Sequence, residues 1–300
     1  MISIIVPTFQ RLNLLARCLD SLAVAVTPLP GGSWEVIVSD DGRKVSAKEL
    51  IAEKYPWARW VQGPGRGPAA NRNHGVRHAQ GQWLIFIDDD CLAHEDWLRE
   101  ILGATGRSPL PDIIEGKTIT PDKKDHPLRR PVENLTGGNF WSCNLAVRRD
   151  VFLKLGGFDE DFPEAAGEDM EFAWRIQKNK LSTFFSKDAI VYHPAKILNV
   201  TDILKEPFKI RWTLLYRHKT GQKVTLLGIV AERIWDLFHS TWRFFKKFDA
   251  SQWRGQLFSL ILRWIFFPFV VPYLLWWHIC HSKNSNSSVI ESLSGHCQKH

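Results

Sequence analysis

An α/β fold is predicted for residues 1–200, with a mostly parallel sheet flanked by helices, followed by a helical membrane-associating region over residues 201–281. Three observations predict it. Short β-rich runs alternate with amphipathic stretches in the first part, the rhythm of strands joined by crossover helices. Polar and charged residues collect where the β-rich runs end. Charge and tryptophan content then change abruptly near residue 200.

Ser3–Val6 reads as a buried strand, and Leu12, Leu15, Leu19 and Leu22 follow at helical spacing. Trp34–Val38 is a second strand, Lys48–Lys54 a short helix, and Trp60–Gln62 part of a third strand. Asn71–Ala79 reads as a helix and Trp83–Ile87 as a fourth strand. In sheets of this kind ligands bind beyond the carboxyl ends of the strands. Strand one ends in Pro7, Thr8 and Phe9, strand two in Ser39, Asp40 and Asp41, strand three in GPGRGPAANRN, and strand four in Asp88, Asp89 and Asp90.

Three carboxylates at the end of an apolar run repel one another unless a cation sits among them. Mg²⁺ or Mn²⁺ suits such a place, because each takes one or two protein carboxylates and fills its shell with water and phosphate oxygens. The alternative is a charged turn capping a helix that starts near Glu95. The loop from Gly63 to Asn73 combines three glycines with Arg66 and Arg72 ahead of a helix, which fits a diphosphate as well as a plain solvated loop.

The stretch GGNFWSCNLAVRRDVFLKLGGFDEDFPEAAGEDMEFAWRI, residues 137–176, is the most distinctive in the chain. The succession of a strand with PTF, then SDDG, RNxG, DDD, GGFDE and GEDxEFxWR resembles family 2 glycosyltransferases across roughly residues 1–195. The resemblance implies a GT-A type, Rossmann-like fold. Its nucleotide-sugar-binding half would cover about residues 1–110 and its acceptor-binding half about 111–200. It also implies roles. Phe9, beside Pro7, would stack on a base, most often uracil, and Asp41 would hydrogen-bond to that base. Arg72 would face the diphosphate. Asp88 and Asp90 would be the metal carboxylates, with Asp89 the variable middle residue on the nucleotide side and His193 a third metal or phosphate ligand. Asp169 would be the general base of an inverting transfer, and Trp141, Glu168 and Trp174 would belong to the acceptor side. Read without the resemblance, Asp41 before Gly42 fits a turn, Glu168 and Asp169 fit the acidic first turn of a helix, and His193 fits a strand end.

The implied activity is metal-dependent transfer of a sugar from a nucleotide donor, a UDP-sugar first, with Mn²⁺ or Mg²⁺ as cofactor and a glycan or lipid-linked hydroxyl as acceptor. Gln10, Arg43 and Asn71 depart from the family's usual residues. They lie around the nucleotide, so base and sugar identity are the least fixed features.

Residues 1–200 carry 25 Lys or Arg against 26 Asp or Glu, whereas residues 201–300 carry 14 against 6 and hold seven of the fourteen tryptophans. RIWDLFHSTWRFFKKF, residues 233–248, has the pattern of an interfacial helix. Residues 258–280 are apolar but broken by Pro268 and Pro272, and only fourteen residues between Arg263 and His278 are free of ionisable groups, too few for a comfortable span. Attachment to a membrane surface through residues 233–280 is expected, with a tilted span or a packed helical subdomain as the alternatives. Residues 282–300 are polar and expected to be disordered. The scattered Cys18, Cys91, Cys143, Cys280 and Cys297 form no CxxC pair, and the start MISIIVPT lacks a basic n-region, so a peripheral or monotopic place on the cytoplasmic face is expected. Basic tryptophan-rich helices also suit nucleic acid, and a nucleotidyltransferase also uses carboxylate-held metal. Neither accounts for GGFDE and GEDxEFxWR, so no nucleic acid partner is expected.

Overall fold

Ile2–Thr8 (β1) places seven consecutive residues in the interior, as a strand covered on both faces does. Alternation along it sends Ile4 and Val6 into one apolar cluster and Ile5 into another. The computed structural model describes residues 1–27, 29–121, 129–205 and 209–222, with the single positions 228, 231, 235, 238, 241, 257 and 261. The helix Leu12–Val26 (α1) buries Leu15, Leu19 and Leu22 against the first cluster. Trp34–Asp40 (β2) pairs parallel with β1, and Lys48–Lys54 (α2) leads to Ala58–Gln62 (β3), parallel to β2. Pro68–Arg77 (α3) then returns the chain to Trp83–Phe86 (β4), parallel to β1 on its other side. This half follows the expected rhythm.

The other half does not. Leu92–Ala93 (β5), Trp97–Thr105 (α4), Ile113–Ile119 (β6) and Arg129–Arg130 (β7) are followed by Leu145–Arg148 (β8), Arg149–Leu155 (α5), Glu168–Lys178 (α6), Thr183–Tyr192 (β9) and Lys196–Ile197 (β10). The sheet order is β3-β2-β1-β4-β8-β6-β9-β5, with β8 antiparallel to both β4 and β6, β9 parallel to β6, and β5 antiparallel to β9. A mixed eight-stranded sheet therefore replaces the mostly parallel one expected. The cause is β8, which enters between β4 and β6 in the reverse direction, Phe86 lying opposite Leu145. Its preceding loop thus reaches the edge where β4 ends. The same edge receives the end of β9, and with it His193.

On the second face, Phe86, Phe152, Phe158 and Phe172 pack ring against ring with centroids 4.8–5.7 Å apart. A buried carboxylate shapes the edge: Glu115 on β6 accepts the backbone N–H groups of Gly138 and Phe140. It thereby holds a loop whose Gly137, Gly138 and Phe140 all take positive φ.

Met1–Ile197 forms one compact unit and residues 198–300 a second. The second contains Val200–Lys205 (α7) and Ile210–Lys219 (α8) among the described residues. No described helix is long and apolar enough to cross a membrane. Apart from the single positions given above, the expected interfacial helix, the apolar stretch to residue 280 and the polar tail lie outside the described residues.

Candidate active site

The carboxyl edge of the parallel strands opens into a cavity of about 670 Å³. Pro7, Phe9, Asp41, Arg72, Asp88, Asp90 and His193 line it together, although they span nearly the whole first unit of the chain. Phe9 is 57% exposed, a large apolar ring held at the mouth of a cavity and not in the core. After it the backbone reverses at Gln10, which takes φ of 55°.

Asp41 accepts the backbone N–H groups of Gly65 (2.8 Å) and Gly67 (3.3 Å), so it folds the glycine-rich loop over the cavity. Burial raises its pKa against the pull of those two donors. Gly67, with φ of 95°, precedes Pro68 at the first turn of α3, and this turn borders the cavity. Asp40 next door is consumed by structure, accepting from Gly42, Ser46, Ala47 and Trp60.

Arg72 is the hub of the charged cluster. It is 4% exposed and its guanidinium bridges Asp88 Oδ1 (2.7 Å) and Glu168 Oε1 (3.3 Å). Burial works to raise Asp88, but the charge and hydrogen bond of Arg72 outweigh it and hold this carboxyl below its usual range. Glu168 fares differently. Burial first, then the neighbouring Asp169 carboxylate, push it up to about 7 against Arg72. Asp169 is raised as well, chiefly by burial, and its Oδ1 is sealed from solvent without a hydrogen-bond partner among the described residues.

Asp89 does not line the cavity. It is fully buried, accepts the hydroxyl of Thr8 (2.6 Å) and pairs with Arg11, while burial pushes its carboxyl up to about 6. The middle aspartate therefore anchors the turn from beneath and leaves its neighbours pointing outward. Arg11 also reaches Asp90 Oδ2 at 3.0 Å. The other Asp90 oxygen, Oδ1, lies 3.8 Å from His193 Nε2. His193 Nδ1 is 2.8 Å from the Pro194 carbonyl. A carbonyl only accepts, so Nδ1 carries a proton and Nε2 is the ring nitrogen that faces Asp90.

Glu168 faces Arg72 and not an open acceptor surface. Trp141 packs partly against the core, and Trp174 lies on α6 with the Lys178 ammonium 4.4 Å from its ring centroid; neither lines the cavity. Arg43, expected around the nucleotide, does line it, and so does Arg11, which was not anticipated. Arg11 carried a signal, a lone cation three residues beyond a strand end. Its partners are 78 and 79 residues away, beyond what local pattern reveals.

The sequence profile described as Glycosyl transferase family 2 matches residues 3–156. The chain belongs to that family. As a family 2 member it is a glycosyltransferase, and its relatives include glycosyltransferase AglE of Haloferax volcanii (strain ATCC 29605). That protein is 27% identical over 223 residues, which cover 70% of this chain and 71% of AglE. Two solved structures share the GT-A type fold. The S. aureus TarS fragment 1–349 in complex with UDP-GlcNAc has a TM-score of 0.54 at 19% identity, covering 87% of this chain and 81% of that one. The mannosyltransferase PcManGT from Pyrobaculum calidifontis, in complex with GDP-Man and Mn²⁺, has a TM-score of 0.55 at 18% identity, covering 96% and 76%.

Proposed function

We propose that this glycosyltransferase moves a sugar from a nucleotide diphosphate donor, a UDP-sugar first, to a hydroxyl of a glycan or lipid-linked acceptor, with inversion at the sugar. The observation that carries the reading is the mixed lining of one cavity. Phe9 and Asp41 offer a stacking face and a carboxylate, and Asp88, Asp90, His193 and Arg72 supply a charged cluster in the same cavity. A base and a diphosphate need both kinds of surroundings.

The charged cluster also fits a divalent cation. Asp90 and His193 present an oxygen and a ring nitrogen 3.8 Å apart, both partly open to the cavity, and Asp88 stands beside them on its Arg72 pair. When bound there, Mn²⁺ or Mg²⁺ would offset the charge that develops on the departing diphosphate. PcManGT, in complex with Mn²⁺, supports this choice of cofactor. The chain's own groups do the rest. The first turn of α3 and the Arg72 guanidinium draw the diphosphate inward. Asp169, its carboxyl raised by burial, takes the proton of the attacking hydroxyl. Attack from the face opposite the leaving group inverts the anomeric centre in one displacement.

Calorimetry tests the reading: UDP and GDP titrated into the purified chain with and without Mn²⁺, then into Asp90→Ala. Mn²⁺-dependent binding of UDP, weakened at least about tenfold in Asp90→Ala, is expected. Selective GDP binding keeps the class and changes the donor. Absence of nucleotide binding under every condition overturns it.

A further inference from the structure

Cys91 follows the aspartate triplet directly and is fully buried at the site edge, yet sugar transfer as described gives it no role. Its Sγ lies 3.9 Å from Asp90 Oδ1, and that sulfur, the Asp90 carboxylate oxygen and a ring nitrogen of His193 all fall within 4.8 Å of one another. Of the other buried thiols, Cys143 lies against the Cys91 thiol itself. Cys143 also faces Thr118, and Cys18 faces the Asp88 carbonyl.

The three side chains present one oxygen, one nitrogen and one sulfur donor. Two of them sit on a turn pinned from below by Asp89, Thr8 and Arg11. The third stands at the end of β9 with its Nδ1 held by the Pro194 carbonyl. A hard cation takes the oxygen and leaves a thiol alone, whereas zinc and its cobalt analogue accept thiolate, imidazole and carboxylate together. Bonds of about 2.0–2.3 Å in a tetrahedron put donor pairs roughly 3.4–3.6 Å apart. The observed 3.8 Å between Asp90 and His193 and 3.9 Å between Asp90 and Cys91 are close to that.

We propose that Asp90, Cys91 and His193 form a three-ligand site for a thiophilic divalent cation of the zinc class, overlapping the place of the donor-side cation. The proposal rests on the reading of Asp90 and His193 as cation ligands. On binding, the Cys91 S–H bond is replaced by a sulfur–metal bond and the proton leaves to solvent, with no change of oxidation state. A four-coordinate ion with three protein ligands keeps one open position, where an octahedral Mn²⁺ or Mg²⁺ keeps several for diphosphate and water. Zinc therefore competes with the hard cation and inhibits transfer.

The test is a Co²⁺ titration of the full-length, metal-free chain without nucleotide. A near-ultraviolet sulfur-to-cobalt absorption band is expected in the wild type and in Cys143→Ser. In Cys91→Ser the band vanishes and Co²⁺ and Zn²⁺ affinities fall roughly 10- to 100-fold, while Mn²⁺ affinity changes by less than about threefold. Should Cys91→Ser not fold, proton release decides on the wild type alone: about one proton per Zn²⁺ near neutral pH supports the site, and none overturns it. Mn²⁺-dependent UDP binding is measured on the same preparation. Co²⁺ binding without the sulfur band, beside intact nucleotide binding, overturns this inference and leaves the nucleotide-sugar reading standing. The band without nucleotide binding supports the metal site and overturns that reading.

Discussion

Glu168 and Asp169 stand side by side at the start of α6, both raised, with one guanidinium between them and Asp88. Burying charge that is only partly matched costs stability, and functional sites tolerate that cost. The pH dependence follows from the sign. The folded pKa of Glu168, about 7, lies above its ordinary 4.5, so the folded chain binds a proton that the unfolded chain has released. That contribution is full below the unfolded value and is lost as pH rises through the folded one. Glu168→Gln does not titrate, so in the metal-free protein it should be more stable than wild type by on the order of 1–3 kcal/mol at about pH 8, with the gap closing toward about pH 4. Equal melting temperatures at the alkaline end would show that the carboxylate is not strained. Asp169→Asn separates binding from chemistry. It should retain donor and Mn²⁺ affinity and lose transfer by roughly 10²–10⁴-fold, whereas near-normal turnover would place the base elsewhere.

At the scale of elements, the glycine-rich loop and the 157–166 loop are pressed together at the cavity. Gly67 has φ of 95°, and a Cβ built there would sit 2.1 Å from the Pro163 carbonyl oxygen. Gly138 has nearly the same φ, 92°, with nothing within 4 Å of its Cβ position. Both changes to alanine carry the backbone penalty, and only Gly67→Ala adds the clash. Gly138→Ala should cost about 1 kcal/mol in denaturant unfolding; Gly67→Ala should cost about 2–4 kcal/mol and weaken nucleotide binding at least about tenfold. Equal effects at the two positions would mean that the loops separate freely. The parallel half of the sheet was legible because each strand is a local run with its own periodicity, ending in an unmistakable residue such as Phe9 or Asp41. The reversed β8 was not. Leu145–Arg148 is a short apolar run whose direction depends on Phe86 and Ile113, partners distant in sequence. Asp89 shows the same limit within one motif. Three identical residues in a row do not tell which faces inward until Thr8 and Arg11 are seen beneath the middle one.

For the whole molecule, the cavity lining of the first unit was readable because several of its residues fall at strand ends. Trp141 and Trp174, assigned to the acceptor side from the sequence, lie outside the cavity lining, the first against the core and the second beside the Lys178 ammonium. The basic tail poses the remaining question. Residues 233–300 hold eight of the chain's 39 Lys and Arg, and removing them leaves 31 basic against 29 acidic residues, a net charge of +2 in place of +7. Each basic side chain near an anionic bilayer contributes about 1 kcal/mol of attraction within a Debye length, and buried Trp and Phe rings add an apolar term that salt does not screen. If this segment is the anchor, the full chain should sediment with anionic vesicles, only partly released by high salt. The chain ending at residue 232 should stay in the supernatant while keeping Mn²⁺-dependent nucleotide binding, since every residue that lines the cavity precedes residue 194. Sedimentation of the shortened chain would move the attachment into residues 1–232. Loss of nucleotide binding with it would show that the first unit needs the tail to hold its site.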